Sequence, residues 1–294
     1  MSRFSFIYIG IFSIIISILS FFNIIYSNYF NLFLNIDSYI YSLISSLLFG
    51  LIFLIKKKEE VKVSIYEKII TVILGYAILP LFISIPFYFS IHNITFINAY
   101  FESVSGFTST GFSIFENIKH LDESLILWRS SSQWIGGLYF LFSIILLIDI
   151  FDINLKKSLT NYLSFNTSET LKQSVKILIL YTSLTLGIFI LLTMSNIRSF
   201  NSLNLSMTLI SSGGFLPANN LENIINNKTK EIVLSFTMLL SFFSLFLSYN
   251  LLTIKNKNIN FFQEDFYLLV YFCILVVLFF LIPKSSNNFS EIFL

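Results

Sequence analysis

One cysteine, two histidines, four prolines and 12% charged residues leave this 294-residue chain little room for side-chain chemistry. The lone Cys273 lies inside an apolar run, so neither a disulfide framework nor a thiolate metal site can form. His92 and His120 stand apart in predicted outer loops, and no His/Glu/Asp cluster has ligand spacing. No resident metal or tightly bound cofactor is therefore expected. Neither a nucleophile–base pair nor a phosphate-binding loop is present, which argues against an enzyme. The net charge of +2 is scattered, so nucleic acid finds no basic surface.

What the chain does have is apolar length. It is 55% hydrophobic with 36 Phe, the composition of an all-α polytopic membrane protein embedded in a lipid bilayer. Apolar runs at 4–25, 38–55, 67–89, 125–148, 174–194, 231–252 and 265–282 read as seven spans. The first is too long for a signal-peptide core and lacks a small-residue cleavage site, so it reads as a retained span. With the N-terminus in the cytoplasm, 12 of the 18 Lys/Arg fall on the cytoplasmic side, including Lys56, Lys57, Lys58, Lys156 and Lys157. The expected location is the plasma membrane.

Residues 1–60 read as an accessory two-helix hairpin with little polar content inside its spans. From about Tyr66 the pattern changes to a span, a short amphiphilic segment from Phe96 to Gly106, a polar turn, a loop and a span. The same order recurs after the basic loop, with a short segment from Phe200 to Leu209 and the turn Ser211-Ser212-Gly213-Gly214-Phe215. Gly213 follows Gly111 by 102 positions, and two hydroxyl residues precede each. The expected units are 61–155, 156–258 and an incomplete third at 259–294, whose glycine would fall beyond the last residue.

The first turn, Gly106-Phe107-Thr108-Ser109-Thr110-Gly111-Phe112-Ser113, is glycine-punctuated and hydroxyl-rich between spans. Non-helical backbone at membrane depth survives only where protein buries it or water wets it. Two re-entrant loops entering from outside satisfy that rule, and ordinary turns in water are the competing reading. A dehydrated monovalent cation needs several oxygens in a narrow tube, which backbone carbonyls can supply. The expected ligands are the carbonyls of Thr108, Ser109, Thr110 and Gly111, and of Ile210, Ser211, Ser212 and Gly213. A short helix ending before each loop would aim its negative dipole end at the same point. Arg129 either snorkels at the end of its span or pairs with Glu102 and fixes the backing of the first loop. Gly136-Gly137 allows a close helix contact.

The run Phe101-Glu102-Ser103-Val104-Ser105-Gly106-Phe107-Thr108-Ser109-Thr110-Gly111, followed by Trp128-Arg129 and Gln133-Trp134-Ile135-Gly136-Gly137, closely resembles the first pore unit of the Trk/Ktr/HKT potassium transporters. It is most like the bacterial Trk membrane subunit. Ser211-Ser212-Gly213-Gly214-Phe215 is similar to the family's second filter loop, where Thr commonly stands at Ser212. The resemblance implies four span–loop–span units around one pathway, potassium as substrate, and gating by a cytosolic nucleotide-binding ring. A glycine usual two positions beyond Gly137 is Tyr139 here. About two units are absent, so a second membrane chain or a second copy is expected to complete the pore.

Potassium uptake through a carbonyl-lined pore is the leading function. The alternative is a truncated non-transporting membrane fragment, or a regulatory or scaffold subunit. A secondary transporter with a midplane substrate site fits less well, because the charged residues avoid the span centres and no intramembrane carboxylate is evident.

Overall fold

The computed structural model describes residues 3–54, 65–147, 167–253, 270, 271 and 274, and every regular element among them is helical. The expected span 265–282 with its third unit, Cys273, and the basic loops at Lys56–Lys58 and Lys156–Lys157 lie outside the described residues. Residues 1–245 form one compact unit. Within 246–294, residues 246–253, 270, 271 and 274 are helical.

Helices α1 (Arg3–Tyr29) and α2 (Ile36–Leu54) form an antiparallel hairpin. Its interior is more polar than its sequence suggested. Ser13, Ser17 and Ser20 of α1 and Ser38, Ser42 and Ser46 of α2 are all buried. Their spacing of three or four residues puts each set on one helix face. Several hydroxyls return to carbonyls of their own helix, as Ser13 does to Ile9 and Ser46 to Ser42, while Ser42 donates to the Phe82 carbonyl of the third helix. Small side chains then let the helices approach closely, with Gly10 against Gly50 and a Ser20–Ser42 hydrogen bond of 3.1 Å.

Helix α3 (Ile65–Ser90), with Pro80 and Pro86 inside it, leads to the short α4 (Phe96–Phe107) and then α5 (Glu123–Leu147). The order repeats as α6 (Thr167–Met194), α7 (Ser199–Ile210) and α8 (Lys228–Thr253). Helices α4 and α7 have 12 residues each, about 18 Å at 1.5 Å per residue, too short for an apolar core of about 30 Å. Among the described residues, four stretches are long and apolar enough to cross a membrane: Ile7–Tyr29, Phe33–Leu54, Tyr66–Ser90 and Ile177–Met194. Helices α5 and α8 are as long, at 25 and 26 residues.

Helix α5 packs against α1, α3, α4 and α7. Its Tyr139, which stands where the resemblance led to glycine, is fully buried. The ring lies 4.9 Å from Phe12, 5.0 Å from Tyr76 and 5.2 Å from Phe107, between centroids.

Candidate functional site

The two short helices end in the same way. Residues 93–110 and 196–213 share local geometry at an offset of 103. Asn93 and Asn196 take left-handed φ of 64° and 61°, and Ser109 and Ser212 take 55° and 53°. The Ser109 and Ser212 amides donate to the carbonyls of Gly106 and Leu209, and the Thr110 and Gly213 amides to those of Ser105 and Thr208. These are helix-terminating bonds that turn the chain sharply. A left-handed serine costs about 1–2 kcal/mol, and twice-repeated strain of this kind is a mark of function.

This offset corrects the sequence alignment. Matching glycine to glycine gave 102, because the second loop carries two glycines in a row. By backbone geometry Gly213 is the counterpart of Thr110 and Ile210 of Phe107, and the same count puts Gly214 level with Gly111, although only Gly111 is left-handed. Ile210 is thus the last residue of its helix. The segment equivalent to Thr108–Gly111 is Ser211–Gly214, one residue later than expected.

The two loops meet at those glycines. A Cβ on Gly111 would lie 2.6 Å from Gly214 Cα, and one on Gly214 would lie 3.1 Å from Gly111 Cα. Gly111 has φ 82°, which a side chain would also strain. Among the described residues, no N–H or hydroxyl is hydrogen-bonded to the carbonyl oxygens of 108–111 or 211–214. Backbone acceptors are normally paired, so eight neighbouring free ones are unusual. The C-termini of α4 and α7 add partial negative charge at the start of both loops.

Behind the first loop lies a fully buried carboxylate, Glu102. Glu102, 0% exposed, accepts from Arg129 Nε at 2.9 Å, the Ile114 amide at 2.9 Å and Ser113 Oγ at 3.1 Å. Of the two readings of Arg129, pairing is the one observed: the residue is 1% exposed. Its second nitrogen, Nη2, reaches Ser113 Oγ at 2.9 Å. The guanidinium carbon also lies 4.1 Å from the centroid of Phe215, in the second loop. A desolvated contact of this kind is attractive, so Arg129 touches the backing of both loops.

Helix α5 serves both loops through consecutive glycines. A side chain on Gly136 would overlap the Phe107 carbonyl, and a Cβ on Gly137 would come within 2.7 Å of Ser211 Cβ. One helix turn away, Gln133 Oε1 accepts from the Phe215 amide at 3.3 Å. Farther along the two loops, Asn219 accepts from the Ile118 amide and donates to Asn117 Oδ1, both at 2.8 Å. The roles of Gln133, Phe215, Gly214, Asn117 and Asn219 went unread in the sequence. Asn117 and Asn219, one in the loop after each short helix, were the available signal. His92 and His120 join no metal-binding cluster among the described residues.

The sequence and the fold both have relatives among known proteins. Residues 39–286 match the family model described as TrkH, a cation transport protein. The chain belongs to the TrkH family. It is similar to an uncharacterised cation transporter of Methanocaldococcus jannaschii, 31% identical over 85% of this chain and 51% of the relative. It is also similar to the Trk system potassium uptake protein TrkH of Escherichia coli, 23% identical over 78% of this chain and 50% of that protein. The crystal structure of the potassium transporter TrkH from Vibrio parahaemolyticus shares the fold, with a TM-score of 0.65 at 18% identity. That match covers 81% of this chain and 50% of the other. The chain spans about half the length of the TrkH relatives it matches.

Proposed function

We propose that this TrkH-family chain contributes two of the ion-coordinating loops of a potassium uptake pathway. The carbonyl oxygens of Thr108, Ser109, Thr110 and Gly111, with those of Ser211, Ser212, Gly213 and Gly214, replace the water around a dehydrated cation. The observation that carries this reading is the set of eight carbonyls without an internal hydrogen bond among the described residues, on two loops that start with the same geometry and meet at Gly111 and Gly214. Coordination gives those oxygens the partner the fold withholds. Glu102 and Arg129 hold the first loop from behind, and the ion itself needs no carboxylate ligand.

Eight oxygens from two adjacent loops surround an ion on one side, so further loops from a second membrane chain or copy close the tube. The pathway is proposed to work with a cytosolic nucleotide-binding ring, with the N-terminus on that same side. The test is growth at micromolar potassium of a host lacking its own uptake systems, with the gene expressed in its natural coding context. Rescue that Thr110→Ala and Gly111→Ala abolish is expected. Rescue indifferent to both removes the filter reading and leaves a membrane subunit that does not itself conduct.

A further inference from the structure

Gly213 is usually the kind of residue explained by backbone freedom, yet its φ is not in the left-handed region, unlike that of Gly111. The constraint comes from a neighbour. A side chain on Gly213 would overlap the carboxamide of Gln133, which lies on α5 and is 0% exposed. The same carboxamide accepts the Phe215 amide, two residues along the loop. That bond fixes its orientation, because an N–H needs the oxygen of the amide opposite it. A Cβ on Gly213 would lie 2.4 Å from both Cδ and Oε1 of that carboxamide and 2.7 Å from Nε2, which is buried and without a hydrogen-bond partner among the described residues.

We propose that Gln133 is the positioning residue of the second loop. Its oxygen holds Phe215 while its bulk restricts position 213 to glycine, and together these set where the carbonyls of Ser211–Gly214 stand. The inference rests on the ion-coordinating role proposed above. The division of labour follows from helix geometry: Arg129 and Gln133 are four residues apart on one face of α5. Arg129 backs the first loop through Glu102, and Gln133 backs the second directly. An unused donor beside the loop is tolerated because the partnered oxygen fixes the amide in place.

The test is a double-mutant cycle read by rubidium uptake in the potassium-uptake-deficient host and by thermal melting in detergent, with Gly111→Ala alongside. Gly213→Ala alone is expected to lower uptake roughly tenfold, and to cost much less when Gln133→Ala has made room. Equal Gly213→Ala penalties in both backgrounds overturn the proposal. Coupling seen in melting but not in uptake also overturns it, since Gln133 is then packing alone. Separately, Gln133→Met keeps the length and loses the acceptor, so the rubidium-to-sodium uptake ratio is expected to fall. Gln133→Glu keeps the acceptor and is expected to retain the ratio. An unchanged ratio in Gln133→Met sinks the role of the oxygen. Uptake indifferent to Gly111→Ala, with the cycle still coupled, instead removes the underlying filter assignment.

Discussion

The hydroxyl of Tyr139 occupies the space that a side chain at Gly75 would need, and donates to the carbonyls of Thr71 and Val72 on the same helix. A large residue on α5 is thus matched by the smallest residue on α3. Overpacking a tight core costs about 1–3 kcal/mol, so Gly75→Ala is expected to lower the melting temperature in detergent. Combining it with Tyr139→Ala removes the overlap and is expected to abolish the extra penalty of the Gly75 change. Equal penalties from Gly75→Ala in both backgrounds would show that the two residues do not share that space.

The Glu102–Arg129 pair is buried at both ends. Removing one partner of such a pair leaves the other charge uncompensated, at a cost of about 3–5 kcal/mol. Glu102→Gln and Arg129→Met should each reduce folded yield and rubidium uptake by a similar factor. The double variant should do better than the sum of the two losses. Wild-type uptake in both single variants would show that the pair does not brace the first loop.

Gly111 and Gly214 face each other with unequal tolerance of a side chain. A Cβ on Gly111 meets Gly214 Cα at 2.6 Å and also inherits a φ of 82°. A Cβ on Gly214 meets Gly111 Cα at 3.1 Å, with no left-handed φ to strain. Gly111→Ala is therefore expected to lower uptake by roughly tenfold or more, from a combined strain and overlap of about 2–3 kcal/mol. Gly214→Ala should be milder. The reverse order of severity in parallel uptake assays would contradict the geometry.

Asn219 ties the two loops together through Ile118 and Asn117. Asn219→Ala removes both bonds, and each is worth about 1 kcal/mol. Hydrogen exchange at the Ile118 amide should then accelerate, roughly tenfold for a local loss of that size. Adding Asn117→Ala should accelerate it little further, because the shared bond is already gone. Unaltered Ile118 exchange in Asn219→Ala would exclude the clasp in solution.

Much of this arrangement is legible along the chain. The six apolar runs that fall on described residues located helices, with one start seven residues off (174 against Thr167), because a long hydrophobic stretch in a bilayer has few alternatives to helix. The repeat was visible as recurring hydropathy, and Glu102 and Arg129 as the charges most in need of a partner. The one-residue shift in the second loop was not visible. Gly213 and Gly214 look alike as letters, and only the left-handed Ser109 and Ser212 show which of them stands opposite Gly111. The buried serines of α1 and α2 were missed for a related reason: the same letters on a lipid-facing side would give the same average hydropathy.

The sequence by itself determined that this protein is a bundle of apolar helices interrupted twice by short polar turns, since chain length, hydropathy and glycine placement act locally. Only the tertiary structure decided how those turns are held. Gly136 and Gly137 wedge α5 between the ends of α4 and α7, Arg129 and Gln133 each back one loop, and Tyr139 fills the notch at Gly75. These contacts join residues that are mostly far apart in the chain, so no local pattern encodes them. They depend on which surfaces close packing brings within van der Waals reach.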